Sequence, residues 1–193
     1  MREAASTPSQ WDYEWRYTDG LLSSNGWTKT VNRTASETMD SNGLKLTSDA
    51  NSYIRLKNDD YNMVIGEMEV ALVVPQSSTD KTSQNIRICL SNGTNGLTLL
   101  PNTGKWRILD VGGNVSVQNG TALADFAVNT EYVIRIRLNN GYASAWINGT
   151  QVLTGFDLGR SFYSTNTAVW SQNQGGGYGI FKSIKLLVNR ISD

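Results

Sequence analysis

Seven Asn-Gly pairs punctuate this chain, at Asn25, Asn42, Asn92, Asn95, Asn119, Asn140 and Asn148. Asn-Gly suits the type I′ turn, whose two central residues both need positive φ, and that turn joins antiparallel strands. Two of the pairs sit between strong strand patterns. In Glu131 to Leu138, the apolar residues Tyr132, Ile134, Ile136 and Leu138 alternate with polar ones, Arg135 and Arg137 among them. The chain turns at Asn139–Gly141, returns through Tyr142 to Ile147, and turns again at Asn148-Gly149 towards Gln151 to Leu153. Period-2 alternation of this kind marks half-buried strands, so these residues predict a three-stranded meander. It also predicts that Ile134, Ile136 and Leu138 face a core while Arg135 and Arg137 face outward.

The same reasoning extends along the chain. Trp11 to Tyr17 alternates Trp11, Tyr13, Trp15 and Tyr17 with polar residues, which reads as core or as contact with the final strand. Gly43 to Thr47 and Ser52 to Lys57 read as a hairpin turned at Ser48 to Asn51. Gly66 to Val74 is a long strand stopped by Pro75, and residues 76–83 are a polar loop. Gln84 to Ser91, Gly96 to Leu100, Lys105 to Val111, Val115 to Gln118, Thr167 to Ser171 and Gly179 to Val188 complete the strands. Residues 121–129 have room for one helical turn at most, and no window keeps a helical period over eleven residues. About a dozen short strands at spacings of roughly ten residues predict an all-β sandwich or barrel. Residues 1–10 read as a flexible arm and 11–193 as a single domain.

Composition narrows the chemistry. Asn, Ser, Thr and Gly supply 19, 19, 18 and 18 residues, and glutamate only 6. Histidine is absent, which excludes imidazole-based triads and histidine zinc sites. The single cysteine, Cys89, excludes an intrachain disulfide. Seventeen basic residues balance seventeen acidic ones, so net charge offers no footprint for nucleic acid or an anionic membrane. No apolar run is long enough to span a bilayer as a helix, and Met1 to Pro8 lacks the apolar centre of a signal peptide.

The segments WDYEWRYTDGLLSSNGWT, NGLKLTSDANSYIRL, GEMEVALVV, NIRICLSNGTNGL, EYVIRIRLNNGYASAWINGTQV and FKSIKLLV, taken in order, resemble the concanavalin A-like lectin/glucanase superfamily in its laminin-G-like form. The Trp146 to Gly149 turn of the late meander is its most telling piece, and the resemblance covers roughly residues 11–190. The opening Trp-rich stretch also resembles domains of structural proteins from phages of gut Firmicutes. The resemblance implies a jelly roll of two antiparallel sheets whose first and last strands are neighbours. It implies no single function, because the superfamily holds lectins, glycosidases, adhesion modules and phage domains.

Glucanases of this fold carry Glu-x-Asp-x-x-Glu on one strand. Here Glu67 takes the first place, Glu69 stands in the aspartate place and Leu72 replaces the last carboxylate, so the acid/base group is missing. Glu67 and Glu69 lie two residues apart on one strand, about 6.5 Å between Cα atoms, against the ~5–5.5 Å between carboxyl groups that a retaining pair needs. They read instead as cross-strand partners of Arg135 and Arg137 on a solvent face.

A sugar site needs a flat ring for stacking and amides for hydroxyls. Residues 170–178 offer Trp170, Gln172, Asn173 and Tyr178 beside three glycines, and this segment is the expected glycan-binding loop, with Trp106 as a second wall. Asn58-Asp59-Asp60-Tyr61-Asn62 has oxygens for calcium but lacks a regular ligand spacing, so no cofactor or metal is expected. The expected function is a non-catalytic carbohydrate-binding or adhesion module, placed outside a cell or on a virion surface, with a glycan as partner. A structural virion domain contacting other subunits is the alternative, and a glycosidase using Glu67 and Glu69 a further one.

Overall fold

The computed structural model describes residues 10–48, 52–60, 65–75, 84–91, 96–102, 105–111, 121–157, 166–173 and 177–191. The predicted arm, the 76–83 loop and the strand at 115–118 lie wholly or almost wholly outside these. Fifteen strands are present among the described residues: β1 (Tyr13–Arg16), β2 (Thr28–Asn32), β3 (Ser36–Asp40), β4 (Gly43–Ser48), β5 (Ser52–Asn58), β6 (Ile65–Val73), β7 (Gln84–Ser91), β8 (Gly96–Asn102), β9 (Lys105–Val111), β10 (Thr121–Asp125), β11 (Glu131–Asn139), β12 (Tyr142–Ile147), β13 (Thr150–Asp157), β14 (Asn166–Asn173) and β15 (Gly177–Val188). Two 3-10 turns, Tyr17–Asp19 and Leu22–Ser24, are the other elements among the described residues.

The strands form two antiparallel sheets. Sheet I runs β13-β12-β11-β6-β15-β4-β3, with β1 also paired to β15; sheet II runs β10-β9-β8-β7-β14-β5-β2. The first and last strands are neighbours, as the resemblance implies, with Tyr13 opposite Leu186 and Arg16 opposite Ser183. The two sheets share one apolar layer. Sheet I contributes Leu44, Leu46, Met68, Val70, Leu72, Ile134, Ile136, Phe181 and Ile184, and sheet II contributes Ile54, Leu56, Ile88 and Trp106, all buried. This is an all-β jelly-roll sandwich.

The Asn-Gly signal acts as predicted in the meander. Asn140 and Gly141 have φ of 48° and 86°, and Asn148 and Gly149 have 50° and 77°, so both central residues of each turn are left-handed. β11 pairs with β12 and β12 with β13.

Three expectations are corrected. β4 and β5 are not a hairpin: β4 pairs with β3 and β15 in sheet I, and β5 with β2 and β14 in sheet II. Both strands bury alternate residues, Leu44 and Leu46 from one side and Ile54 and Leu56 from the other, so the chain changes sheets between them. Residues 121–125 are strand rather than helical turn, because pairing with β9, through a bulge between Ala122 and Ala124, overrides the alanine content. Strand β1 ends at Arg16, so Tyr17 begins a 3-10 turn in which the Arg16 N–H donates to the Asp19 carboxylate at 2.8 Å.

Gly43 opens β4 where that strand crosses β15. Its φ is +145°, and a Cβ there would lie 2.7 Å from the Phe181 carbonyl oxygen and 2.8 Å from Ile180 Cγ2. Backbone on one side leaves little room to shift. Gly43→Ala is expected to cost about 1–3 kcal/mol. That is a fall of roughly 2–10 °C in melting temperature for a domain of this size, read by thermal denaturation.

Candidate functional site

Each sheet turns one face to the shared core, so functional side chains must come from the opposite parity. On β5 the core parity is Ile54 and Leu56; the other parity holds Tyr53, Arg55 and Lys57, all half-buried. Register then carries this outer side across sheet II. Arg55 stands opposite Trp170 of β14, and Trp170 opposite Arg87 of β7. One step along, Tyr53 stands opposite Gln172, and Gln172 opposite Asn85. Adjacent strands are about 4.8 Å apart, so Arg55 and Arg87 sit at about 10 Å with Trp170 between them. Beyond β7, the pairing with β8 runs from Ile88 opposite Leu99 to Ser91 opposite Gly96.

The sequence-predicted site is thereby reorganised. Trp170 and Gln172 do share one face, but as strand positions at the middle of a sheet rather than as loop residues. Asn173, the last residue of β14, has the opposite parity and pairs with the buried Ser52. Tyr178 belongs to the other sheet, opposite Thr47 of β4. Trp106 is fully buried and packs edge-on against Phe126 at 5.4 Å and Tyr132 at 5.3 Å; it is a core residue and no wall of a surface site. Sequence reasoning missed Tyr53, Arg55 and Arg87, whose parity was visible but whose adjacency to β14 was not.

The outer side of sheet I is different in kind. Glu67 on the central strand β6 is fully buried. Its two carboxylate oxygens accept hydrogen bonds from Arg137 Nε at 2.7 Å and Arg135 Nε at 2.6 Å. Arg137 is the direct cross-strand neighbour of Glu67, while Arg135 reaches it diagonally. Both guanidinium groups also lie 5.0 Å from the Trp146 ring centre. Glu69 accepts from Lys185 Nζ at 2.8 Å, and Lys185 lies 5.6 Å from the Trp11 ring. The expected pairing of glutamates with arginines holds for Glu67 only, and Glu67 is covered rather than displayed on a solvent face.

Beside this ladder lies an open pocket of about 350 Å³ lined by Glu14, Arg16, Tyr17, Lys182 and Lys185 among others. Arg16 is hydrogen-bonded to Glu14 at 2.9 Å, and that bond together with the Glu14 charge raises the guanidinium above its ordinary pKa. In the candidate calcium segment, Asn58 is buried and its Oδ1 accepts from the Asp60 N–H at 2.9 Å, while Asp59 pairs with Lys57. Tyr61 and Asn62 lie outside the described residues, among which no group of three or more potential metal ligands occurs. No helix among the described residues is long and apolar enough to cross a membrane.

No family model matches the sequence, and no curated protein matches it. Solved structures match it in shape. A sialidase superposes on 94% of the chain with a TM-score of 0.69 and 10% identity, the chain spanning 19% of that protein. A structure described as a conserved carbohydrate esterase from the Shiga toxin-encoding bacteriophage phi24B matches at TM-score 0.63 and 16% identity, over 92% of this chain and 97% of that one. The carbohydrate-binding module CBM66 from Bacillus subtilis matches at 0.62 and 12%, over 84% and 95%. At these identities the likeness is one of fold, a jelly-roll sandwich of two antiparallel sheets.

The buried clamp on Glu67 generates a contrast. Glu67→Gln removes the charge on which two half-buried arginines converge, and is expected to cost about 2–4 kcal/mol, between exposed and fully buried ion pairs. Glu69→Gln, at a carboxylate that is itself partly exposed, should cost less than about 1 kcal/mol. Urea unfolding of the two variants measures the difference.

Proposed function

We propose that this chain is a non-catalytic carbohydrate-binding module that takes glycan on the outer face of sheet II, around Trp170. The observation that carries the reading is the register that sets Trp170 and Gln172 of β14 between Tyr53 and Arg55 on one side and Asn85 and Arg87 on the other. These residue types are those a sugar needs: a ring for its C–H face, and amide and guanidinium donors for its hydroxyls. Having them on strands fixes their spacing without ordering a loop on binding.

The non-catalytic part of the proposal is supported by Glu67. Both its oxygens accept arginine hydrogen bonds, and it is shut off from solvent, which suits a structural ion pair better than a nucleophile. A single open sheet face gives weak binding, in the micromolar to millimolar range, so adhesion would rely on several copies, as on a phage particle or a multidomain wall-binding protein. A structural virion domain would need an exposed aromatic face for other subunits, and the aromatic row of β1 is the candidate. Trp15 of that row is buried and donates its indole N–H to the Gly20 carbonyl, and the Tyr13 hydroxyl accepts from the Trp27 indole, so this row supplies internal contacts.

Affinity electrophoresis in gels holding soluble polysaccharides tests the proposal. Trp170→Ala should abolish retardation while leaving the melting temperature within about 2 °C, as expected for a surface substitution. Trp106→Ala should instead lower stability by about 3–5 kcal/mol. Retardation that survives Trp170→Ala, or sugar release that is lost in Glu67→Gln, would sink the reading.

A further inference from the structure

We infer that the pocket beside β1 is a second ligand site, one that takes a small hydroxylated anion: a single carboxylate or phosphate on a body about the size of one sugar ring. It lies on sheet I and does not depend on the glycan face proposed for sheet II. A break in β15 builds the site. Along its flank away from β6, β15 pairs with β4 as far as Phe181, opposite Leu44, and with β1 from Ser183, opposite Arg16. Lys182 falls at the change of partner. It is also the extra residue of a bulge, because Phe181 stands opposite Leu72 of β6 while Ser183 stands opposite the adjacent Ala71. Bulges re-aim side chains and recur beside functional sites. Here the bulge sets two consecutive half-buried residues, Lys182 and Ser183, between the buried Phe181 and Ile184, and both line the pocket. Strict alternation would send one of the two into the core.

The charges of the pocket sort into pairs and a remainder. Arg16 is bonded to Glu14 through Nε and Nη2, and Lys185 is bonded to Glu69. The Lys182 ammonium lies 5.5 Å from the centre of the Tyr17 ring, and among the described residues it has no carboxylate partner. The ring holds the ammonium by its π face and uses none of its three N–H donors, which are left for an acceptor in the pocket. An ammonium is a compact point charge, so it serves a carboxylate or a phosphate without the fixed fork of a guanidinium. Ser183 adds a hydroxyl that can donate to or accept from a ligand hydroxyl. The volume of about 350 Å³ is at the small end for ligand sites, which suits one ring better than a polymer.

The test is an NMR titration of the full chain with four probes: glucuronate (carboxylate), glucose-6-phosphate (phosphate), neutral methyl glucoside and inorganic phosphate. Saturable shifts centred on the amides of residues 16–18 and 182–185 are expected with glucuronate or glucose-6-phosphate, which also names the anionic group, and binding should weaken as salt rises. Methyl glucoside and inorganic phosphate, each lacking one half of the ligand, should bind roughly tenfold more weakly. Lys182→Gln should weaken binding by roughly tenfold or more, and Lys182→Arg, which keeps the charge, should retain most of it. Lys182→Gln should leave retardation in polysaccharide gels unchanged. Circular dichroism checks each variant, and the titration of the unaltered chain decides if Lys182→Gln misfolds. No saturable shift at these residues with either sugar derivative, or equal binding of methyl glucoside, would overturn the anion site. Inorganic phosphate binding as tightly as the sugar derivatives would overturn the hydroxylated body. Undiminished binding by folded Lys182→Gln would overturn the role of Lys182, and loss of its retardation in polysaccharide gels would overturn the separation of the two sites.

Discussion

The constraint on which the molecule depends is parity. Where two sheets share one apolar layer, a strand buried in the middle of either commits every second residue to that layer, and a slip by one residue would exchange core for surface. Ile54 and Leu56 on β5, Ile88 on β7, and Ile134, Ile136 and Leu138 on β11 all obey it with near-zero exposure. Everything proposed about function concerns the residues left over. Tyr53 and Arg55 face outward because Ile54 and Leu56 cannot, and register with β14 and β7 extends that outward set across three strands.

Sheet I meets the same constraint with a different outer solution. Its outer face is closed by charge rather than left open. Glu67 at the centre of the sheet is fully buried, and the two arginines that approach it also lie over Trp146. Hydrogen bonds to both oxygens compensate the loss of water around a buried carboxylate. The stacked ring in turn limits where the guanidinium groups can go. The cluster therefore locks β6, β11 and β12 in register from outside while the Met68, Val70 and Ile136 layer does so from within. The ion pairs of Glu67 fasten β6 to β11.

Much of the fold was legible. The strand-turn-strand signal of Glu131 to Leu153 needed only local chemistry, and both of its Asn-Gly turns take the left-handed pairs that such turns require. The edge strands β2 and β3 were not legible. β2 reads Thr-Lys-Thr-Val-Asn and β3 Ser-Glu-Thr-Met-Asp, polar sequences with too few apolar residues for alternation to show, as suits edges that must not recruit other strands. The β4–β5 link was misread because a short polar link between alternating strands is the same signal for a hairpin and for a change of sheet. The site was half legible for the same reason. Trp170 and Gln172 announced themselves by type, but their partners Arg55 and Arg87 lie 115 and 83 residues away in sequence (170 − 55 and 170 − 87), and long-range strand order leaves no local trace. Trp106 shows the converse. Its polar flanks Lys105 and Arg107 suggested a surface hairpin, yet an alternating strand puts polar flanks beside every core residue.

Equal numbers of acids and bases, 17 of each, say nothing of how charge is arranged over two faces. On sheet I, register sets Glu67 opposite Arg137 and Glu69 opposite both Arg135 and Lys185, so acidic and basic residues meet across strands and close the outer side of β6 with ion pairs. A total charge of zero is therefore compatible with strong local charge, and register rather than composition decides where a cation finds its partner.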